Sequence, residues 1–264
     1  MSRLTLAPGL ACLAGLCLVA ASGRSEASFT GFGDGTGFTL NGDAVGVPTI
    51  SNGVLTLTNG LGSESRSTFY TTAQTISRFT AQFTYQDVNG GADGAAFVIQ
   101  NSPSGVNAVG VGGSSFGYGQ LTQSVGVLLS IFSPSQGTGL GTNGSTPGST
   151  PPSSFGPTGG VALAGGDPIQ INLSYDGATL TETLRDLSST ATFTTSYAVN
   201  IAAFTGSDTA FVGFTGGTGA LTATQRISNV SFTNNATIPE PASLALLAVG
   251  LAGVLAYGRL RQGH

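Results

Sequence analysis

The sequence predicts an all-β sandwich that forms a single domain over residues 28–236. Apolar and polar residues alternate along several segments, which is the pattern of a strand with one buried face. Other segments are largely apolar, as in strands that are buried on both faces. No segment between the two ends of the chain repeats its apolar residues with the 3.6-residue period of a helix.

Each predicted strand rests on its own stretch of sequence. The alternating segments are 78–85, 169–175 and 193–199, and the apolar ones are 95–99, 125–132 and 210–214. A further strand over 180–184 follows Asp176-Gly177, with Glu182 and Asp186 as polar residues of this hairpin. Because a type I′ turn needs a positive φ at both central residues, Asp-Gly between two strands predicts such a turn here.

Residues 133–160 differ from the rest of the predicted domain. They are almost entirely Ser, Thr, Gly, Pro and Asn, with too few apolar side chains to bury a core. We therefore predict a long loop within one domain, since each half of the chain alone would hold few strands.

The composition excludes several classes of function. Lysine is absent and the net charge is −4, whereas a nucleic-acid partner would require a basic surface. Residues 28–238 also lack histidine and cysteine, which excludes Ser-His-Asp and Cys-His nucleophiles, Schiff-base lysines and zinc sites of histidine and thiolate. Three classes of function remain compatible with the composition: carboxylate chemistry, cations held by oxygen ligands, and binding without catalysis.

Residues 1–27 have the order of a secretory signal peptide. Arg3 precedes an apolar run over 10–21, and Ser25-Glu26-Ala27 forms a small-x-small cleavage site. Cleavage there would remove both cysteines, Cys12 and Cys17, so we expect a mature protein without disulfides. An uncleaved membrane anchor is the alternative interpretation.

The C-terminal end has three parts: Pro239-Glu240-Pro241, the uncharged segment 242–258, and then Arg259 and Arg261. As a helix, the middle part extends about 26 Å, near the roughly 30 Å of a hydrocarbon core, so we predict a transmembrane helix rather than a buried core helix. The arginines favour a cytoplasmic C-terminus.

Residues 237–264 resemble the PEP-CTERM sorting signal, in which these three parts occur in the same order. The resemblance implies recognition by an exosortase and transient anchoring in the inner membrane of a Gram-negative bacterium that makes exopolysaccharide. It also implies delivery to the cell surface or the extracellular matrix.

Five short segments, in order, resemble the legume-type lectin family. They are 92–100 (ADGAAFVIQ), 111–118 (VGGSSFGY), 125–132 (VGVLLSIF), 175–177 (YDG) and 212–219 (VGFTGGTG), the last followed by 227–232. Their order and spacing imply a concanavalin-like jelly-roll sandwich. The resemblance also implies a carbohydrate-binding site that includes Asp93, Gly112, Gly113, Tyr118, Phe132, Ala220 and Leu221.

The resemblance gives these residues separate roles. A carboxylate at Asp93 is expected to accept hydrogen bonds from two sugar hydroxyls, beside glycines whose N–H groups donate. Tyr118 and Phe132 are candidates for an apolar wall, and the backbone at Ala220 and Leu221 for a variable specificity loop. In the family the peptide bond before this aspartate is cis. The simpler alternative is that Asp93-Gly94 is only a pair of turn residues. In either case we expect the Asp93 carboxylate to face solvent.

The chain departs from the family at the metal site. Legume lectins hold calcium and a transition metal with a Val-x-Val-Glu-x-Asp strand and a following asparagine. In this sequence Leu128 occupies the position of the family's glutamate and Ser130 that of its aspartate. Pro134 lies near the position of the asparagine. Calcium takes six to eight oxygen ligands, so we expect no cofactor unless other acids replace these positions.

Three classes of function remain. The first is a surface or matrix protein that binds a glycan such as exopolysaccharide, and the second is a structural or adhesive matrix protein that has lost the site. The third is a glycosidase, which needs two placed carboxylates. Sandwich hydrolases place these as Glu-x-Asp-x-x-Glu on one strand, whereas residues 28–238 contain only Glu64 and Glu182 as glutamates. We therefore expect that the protein is not an enzyme.

Overall fold

The computed structural model describes residues 28–146 and 155–235, which form two facing antiparallel sheets and confirm the predicted all-β sandwich. In chain order the strands are β1 (Phe29–Thr30), β2 (Phe38–Asn41), β3 (Thr49–Ser51), β4 (Val54–Asn59), β5 (Ser65–Tyr70), β6 (Gln74–Thr75), β7 (Phe79–Val88), β8 (Gly94–Gln100), β9 (Ser124–Ser130), β10 (Gly137–Thr142), β11 (Ile169–Tyr175), β12 (Thr179–Asp186), β13 (Thr192–Ala198), β14 (Thr209–Gly217) and β15 (Thr224–Asn234). One short helix, α1 (Ile201–Thr205), precedes β14.

The two sheets have different sizes. The back sheet has eight strands in the order β13-β12-β11-β7-β15-β4-β3, with β1 also paired to β15. The front sheet has seven strands in the order β10-β9-β8-β14-β5-β2, with β6 also paired to β14. Many neighbouring strands are distant in sequence, so the chain crosses repeatedly between the sheets as in a jelly roll.

The main core lies between the sheets. Alternation along β7 turns Phe79 and Phe83 inward, and Phe83 meets Phe97 and Phe214 of the front sheet at ring-centroid distances of 5.8 and 5.0 Å. Burial of these apolar side chains is the main favourable term in folding. It fixes the register, because a slip of one residue would turn each strand's apolar side chains outward.

Strands β8 and β9 of the front sheet are buried on both faces, as their apolar sequences predict. Phe97 and Ile99 face the main core, whereas Ala96 and Val98 face a second, smaller apolar cluster. This outer cluster contains residues of the segment between β8 and β9, among them Phe116 and Tyr118. The segment therefore folds back over the outer face of the front sheet and carries part of the pocket described below.

The predicted loop over residues 133–160 is wrong for 137–142, which form β10. This strand pairs with β9 along its whole length, from Gly137 opposite Ser130 to Thr142 opposite Val125. An edge strand needs only main-chain hydrogen bonds on one side and few apolar side chains, so its composition gives little signal. The middle of the predicted loop, 147–154, lies outside the described residues.

The predicted hairpin of β11 and β12 is confirmed, since the two strands pair antiparallel, but its turn is not of type I′. The Asp176 N–H donates to the Thr179 carbonyl, so the central residues are Gly177 and Ala178. Of these, only Gly177 has a positive φ, 103°. The Asp176 carboxylate accepts hydrogen bonds from the N–H groups of Ala178 and Thr179 at 2.9 and 2.8 Å, which is the local bonding that favours aspartate in turns.

Helix α1 has no counterpart in the sequence prediction, because five residues are too few to produce a periodic pattern. Its start is stabilised by the Asn200 side chain, which accepts a hydrogen bond from the Ala203 N–H at 3.0 Å. It ends at Gly206, whose φ is 73°.

The two predicted terminal segments, residues 1–27 and 237–264, lie outside the described residues. The second contains Pro239, Glu240, Pro241, Arg259 and Arg261 of the sorting motif. Within 28–146 and 155–235, no helix is long and apolar enough to cross a membrane.

Candidate functional site

Strands β8, β9, β10 and β14 end or begin together at one end of the front sheet. Gly94 pairs there with both Ser130 and Gly217, and Ser130 pairs with Gly137. A pocket of about 270 Å³ opens at this end. It is lined by Asp93, Gly113, Ser114, Phe116, Ser130, Phe132, Ser135, Phe155 and Gly219.

Asp93 lies in this pocket and is only 7% exposed, so the expectation of a solvent-facing carboxylate is wrong. Burial raises the pKa of its carboxyl, and a backbone hydrogen bond from Gly219 partly offsets this. Its Oδ2 atom is buried without a hydrogen-bond partner among the described residues. An unsatisfied buried acceptor at a pocket is a place where a ligand hydroxyl gains a full hydrogen bond.

The main chain holds Asp93 between two strands. Its N–H donates to the Gly217 carbonyl at 3.2 Å, and its carbonyl accepts from the Ile131 N–H at 3.0 Å. The Ala92–Asp93 peptide bond is cis, as the resemblance implied. The carboxylate is therefore fixed between the ends of β9 and β14.

The two glycines predicted for the site have different positions. Gly113 begins a 3₁₀ turn over Gly113–Ser115 and lines the pocket. Gly112 lies behind it, where an added Cβ would be 2.5 Å from the Glu64 carbonyl oxygen. Gly112 thus permits close packing of two main-chain segments and does not line the pocket.

The two aromatic residues predicted for the site also have different positions. Phe132 is 38% exposed and lines the pocket. Tyr118 is fully buried, so the prediction that it forms a wall for the ligand is wrong. Its ring packs over the paired Gly126 and Gly141 of β9 and β10, where the missing side chains leave room for it.

Ala220 and Leu221 are both exposed and follow the pocket residue Gly219. Neither lines the pocket itself. Leu221 is close to the segment that leads into Asp93, since an added Cβ at Gly91 would lie 3.6 Å from the Leu221 Cβ.

Six of the lining residues were not predicted from the sequence as ligand contacts: Ser114, Phe116, Ser130, Ser135, Phe155 and Gly219. Phe116 and Phe155 meet edge to face at 5.7 Å and give the pocket aromatic surface. Phe155 is the only aromatic residue within the Ser/Gly/Pro-rich stretch 133–160. Its isolated position in the sequence could have indicated a residue of the site.

A buried scaffold supports the Gly219 side of the pocket. The Thr218 hydroxyl donates to the Leu61 carbonyl at 2.6 Å and accepts from the Glu64 N–H at 3.0 Å. The Thr218 N–H donates to the Glu64 carbonyl, and the Ser63 N–H donates to the Gly219 carbonyl. The Glu64 side chain forms a buried ion pair with Arg66, with 2.5 Å between Oε1 and Nη2. Segment 61–66 thereby anchors Thr218 and Gly219.

The residues at the family's metal positions do not fit a metal ion. Leu128 is fully buried in the outer cluster with Tyr118 and Phe155, and it offers no oxygen ligand from its side chain. Ser130 lines the pocket with a hydroxyl in place of a carboxylate. Across the described ranges, no three His, Cys, Asp or Glu side chains group closely enough to hold a metal ion.

Glu182 is a hairpin residue on β12, as predicted, but its side chain points into the protein rather than toward solvent. It is fully buried and accepts hydrogen bonds from the hydroxyls of Thr138 and Tyr197. Burial raises its pKa to about 7. Glu182 therefore joins the edges of the two sheets and does not line the pocket around Asp93.

Comparisons with known proteins agree with this architecture. The lectin I-B4 of Griffonia simplicifolia in its metal-free form is 20% identical, with a TM-score of 0.65 over 80% of this chain and 100% of that chain. A Bauhinia forficata lectin in complex with GalNAc is 20% identical, with a TM-score of 0.64 over 79% and 97%. Arcelin-5, a lectin-like defence protein of Phaseolus vulgaris, is 19% identical, with a TM-score of 0.63 over 78% and 97%. No curated protein sequence matches the chain.

Two family models match the sequence. Residues 237–262 match the PEP-CTERM protein-sorting motif, which indicates export and sorting to the cell envelope or surface. Residues 25–247 match the legume lectin domain. This second match covers most of the sequence, and the chain therefore belongs to the legume lectin family.

Proposed function

We propose that this exported lectin-fold protein binds a glycan in the pocket around Asp93 and thereby associates with exopolysaccharide at the cell surface or in the extracellular matrix. The observation that carries the proposal is the unsatisfied Oδ2 of Asp93 in a pocket lined by serine hydroxyls and phenylalanine rings. A carboxylate accepts hydrogen bonds from neighbouring sugar hydroxyls, and an aromatic ring packs against the apolar face of a sugar ring. Support also comes from the similar structures, since that of the Bauhinia forficata lectin is a complex with GalNAc.

We propose binding without catalysis. Asp93 is the only acid among the described residues that line the pocket, whereas glycoside hydrolysis by the usual route needs two carboxylates about 5–10 Å apart. Glu64 is tied to Arg66, and Glu182 is buried between the sheet edges. Neither glutamate lines the pocket as a partner for Asp93.

A structural or adhesive matrix protein without sugar binding is the second candidate. The observation that favours it is Leu128, which fills a family metal position with a buried apolar side chain. If the metals are needed to shape the site, their loss would leave only the sandwich.

A glycan array with the full chain, in calcium and in chelator, distinguishes the two candidates. We expect specific binding that does not depend on calcium and that Asp93→Asn abolishes. An array without specific signals in both conditions would favour the structural candidate.

We further propose that an exosortase recognises the C-terminal motif while the chain is held in the inner membrane of a Gram-negative bacterium. The motif match at residues 237–262 supports this route. Deletion of the exosortase in the native host should leave the chain in the membrane fraction, and unchanged release would contradict the proposal.

A further inference from the structure

A second cavity, the edge cleft, opens along one side of the sandwich and has a volume of about 350 Å³. Among the described strands, β10 ends the front sheet and β13 ends the back sheet, and both contribute to this cleft. Its lining includes Thr138 and Leu140 of β10, Gly156, and Phe193, Thr195 and Tyr197 of β13. The three residues of β13 lie on one face of the strand, because side chains alternate along it.

A buried carboxylate beside the edge cleft orients a hydroxyl that lines it. Glu182 is fully buried, and its Oε2 atom accepts hydrogen bonds from the Tyr197 hydroxyl at 3.1 Å and from the Thr138 hydroxyl at 2.7 Å. An ionised carboxylate can only accept, so the hydrogen of the Tyr197 hydroxyl is directed to Glu182. The lone pairs of the Tyr197 oxygen are then available to a ligand that donates a hydrogen bond, as a sugar hydroxyl does.

The other lining groups favour an uncharged ligand with an apolar face. The rings of Phe193 and Tyr197 and the side chain of Leu140 are partly exposed and give the edge cleft apolar surface. None of the described lining residues is charged, so an ionic group would lose its hydration there without gaining a partner. Aromatic rings beside a hydroxyl acceptor match a neutral sugar, which has an apolar ring face and hydroxyl donors.

A peptide that adds as a β-strand fits the edge cleft less well than a sugar does. The Thr138 N–H donates to the Gly156 carbonyl at 3.1 Å, and the Thr138 carbonyl accepts from the Gly156 N–H at 2.8 Å. The main chain of β10 is therefore already paired at this point, whereas strand addition needs a free edge. A sugar that contacts the side chains of the cleft has no such requirement.

The edge cleft and the pocket described above border the same two segments. Phe155 lines the pocket, and the next residue, Gly156, lines the cleft. On β10, Gly137 pairs with the pocket residue Ser130, and the following residue, Thr138, lines the cleft. Because consecutive Cα atoms are about 3.8 Å apart, a chain of a few linked sugars is long enough to reach from one cavity to the other.

We propose that the edge cleft is a second sugar subsite, so that the protein binds an internal stretch of a neutral polysaccharide rather than a single terminal sugar. One sugar unit occupies the pocket at Asp93. Another packs on Phe193 and Tyr197 and donates a hydroxyl to the Tyr197 oxygen. Two linked units bind more tightly than either alone, because the second contact is intramolecular. This inference rests on the proposed glycan-binding function and specifies the length of its ligand.

The test is a titration of the full chain with fragments of the native host's exopolysaccharide, graded in length from single sugars to chains that span both cavities. We expect the affinity to rise at least about tenfold from the shortest fragments to the longest. Thr195→Phe should remove this rise, because the larger side chain fills the edge cleft, and should leave the affinity for single sugars unchanged. Thr192→Phe is the matched control, since Thr192 is exposed on the opposite face of β13.

The outcomes separate this inference from the proposed function. An affinity that does not rise with length, or a rise that persists in Thr195→Phe, overturns the second subsite and leaves glycan binding at Asp93 standing. Absence of binding to every fragment overturns both. Asp93→Asn should weaken binding at every length, whereas Thr195→Phe should weaken only the long fragments. Melting temperatures check that the variants fold, and the length series of the unmodified chain decides alone if Thr195→Phe does not.

Discussion

Asp93 combines burial with an unsatisfied acceptor atom, and this combination determines what its replacement does. Asp93→Asn keeps the size of the side chain but removes the charge, and hydrogen bonds to charged groups contribute about 1.5–3 kcal/mol each. We expect glycan affinity to fall at least about tenfold. Because burial already raises the pKa of this carboxyl, the melting temperature should stay the same or rise slightly.

Calorimetric titration with an array-identified glycan and thermal unfolding measure both effects. Asp208→Asn is the control, since Asp208 is exposed at the opposite end of β14. Unchanged affinity in Asp93→Asn would remove this residue from the site.

Two buried threonines near the pocket should respond in opposite ways to the same substitution. Thr218→Val leaves the Leu61 carbonyl and the Glu64 N–H without their partner, so we expect a loss of about 1–3 kcal/mol in the free energy of unfolding, with weaker glycan binding. The hydroxyl of Thr215, on the same strand as Gly217, is buried and has no hydrogen-bond partner within residues 28–146 and 155–235. Thr215→Val should therefore be neutral or stabilising, and denaturant unfolding compares the two. Equal destabilisation would contradict the proposed anchoring role of Thr218.

At the scale of the element, β9 predicts the response to metal ions. It carries Leu128 and Ser130 where the family has two carboxylates, and carboxylate number strongly influences calcium affinity. A ligand that binds only the native state raises its stability, so a bound ion would be visible in thermal unfolding. We expect millimolar calcium or manganese to leave the melting temperature unchanged. A rise of several degrees that a chelator reverses would reveal another acid cluster.

Strand β12 is joined to the edges of both sheets through Glu182, and this contact makes stability depend on pH. Its pKa rises from an ordinary 4.5 to about 7, and that of Asp87 on β7 rises from 3.8 to about 6, both through burial. A carboxyl with a higher pKa in the folded state stabilises the fold while protonated. That contribution is complete at pH values below the pKa of the unfolded state. It is lost as pH rises through the pKa of the folded state. The free energy of unfolding should therefore fall between about pH 4.5 and pH 7.

Denaturant unfolding at pH 5, 6, 7 and 8 tests this dependence. Glu182→Gln keeps acceptor and donor groups for Thr138 and Tyr197 but cannot ionise, so its stability should change less with pH. Stability that increases from pH 5 to pH 8 would contradict the expected sign.

At the scale of the whole molecule, the two apolar ends predict processing. We expect the mature extracellular form to begin near Ser28 and to lack the segment after Pro239-Glu240-Pro241, since both ends have the charge arrangement of export signals. Intact-mass analysis of surface material should return a chain shortened at both ends. Recovery of the full 264 residues would contradict this.

The sequence alone predicted the family and seven of the strands, β7–β9 and β11–β14. Alternation in 169–175 and apolar runs such as 95–99 are local consequences of burial on one or two faces, so they can be read without knowing the partner strands. The pairing of β10 could not be read, because an edge strand of Gly, Thr and Leu has no distinctive composition. The turn at Gly177 likewise depends on the register of two strands, which places Asp176 outside the central pair.

The tertiary structure decided the composition of the pocket. Asp93, Gly113 and Phe132 came from motifs, yet Ser114, Ser135 and Phe155 join them only because the ends of several strands converge there. Tyr118 belongs to a matching motif but is buried, since the hollow above Gly126 and Gly141 exists only when β9 and β10 pair. The sequence specifies which residues are available for a site. Packing between distant strands decides which of them face the ligand and which are buried in the core.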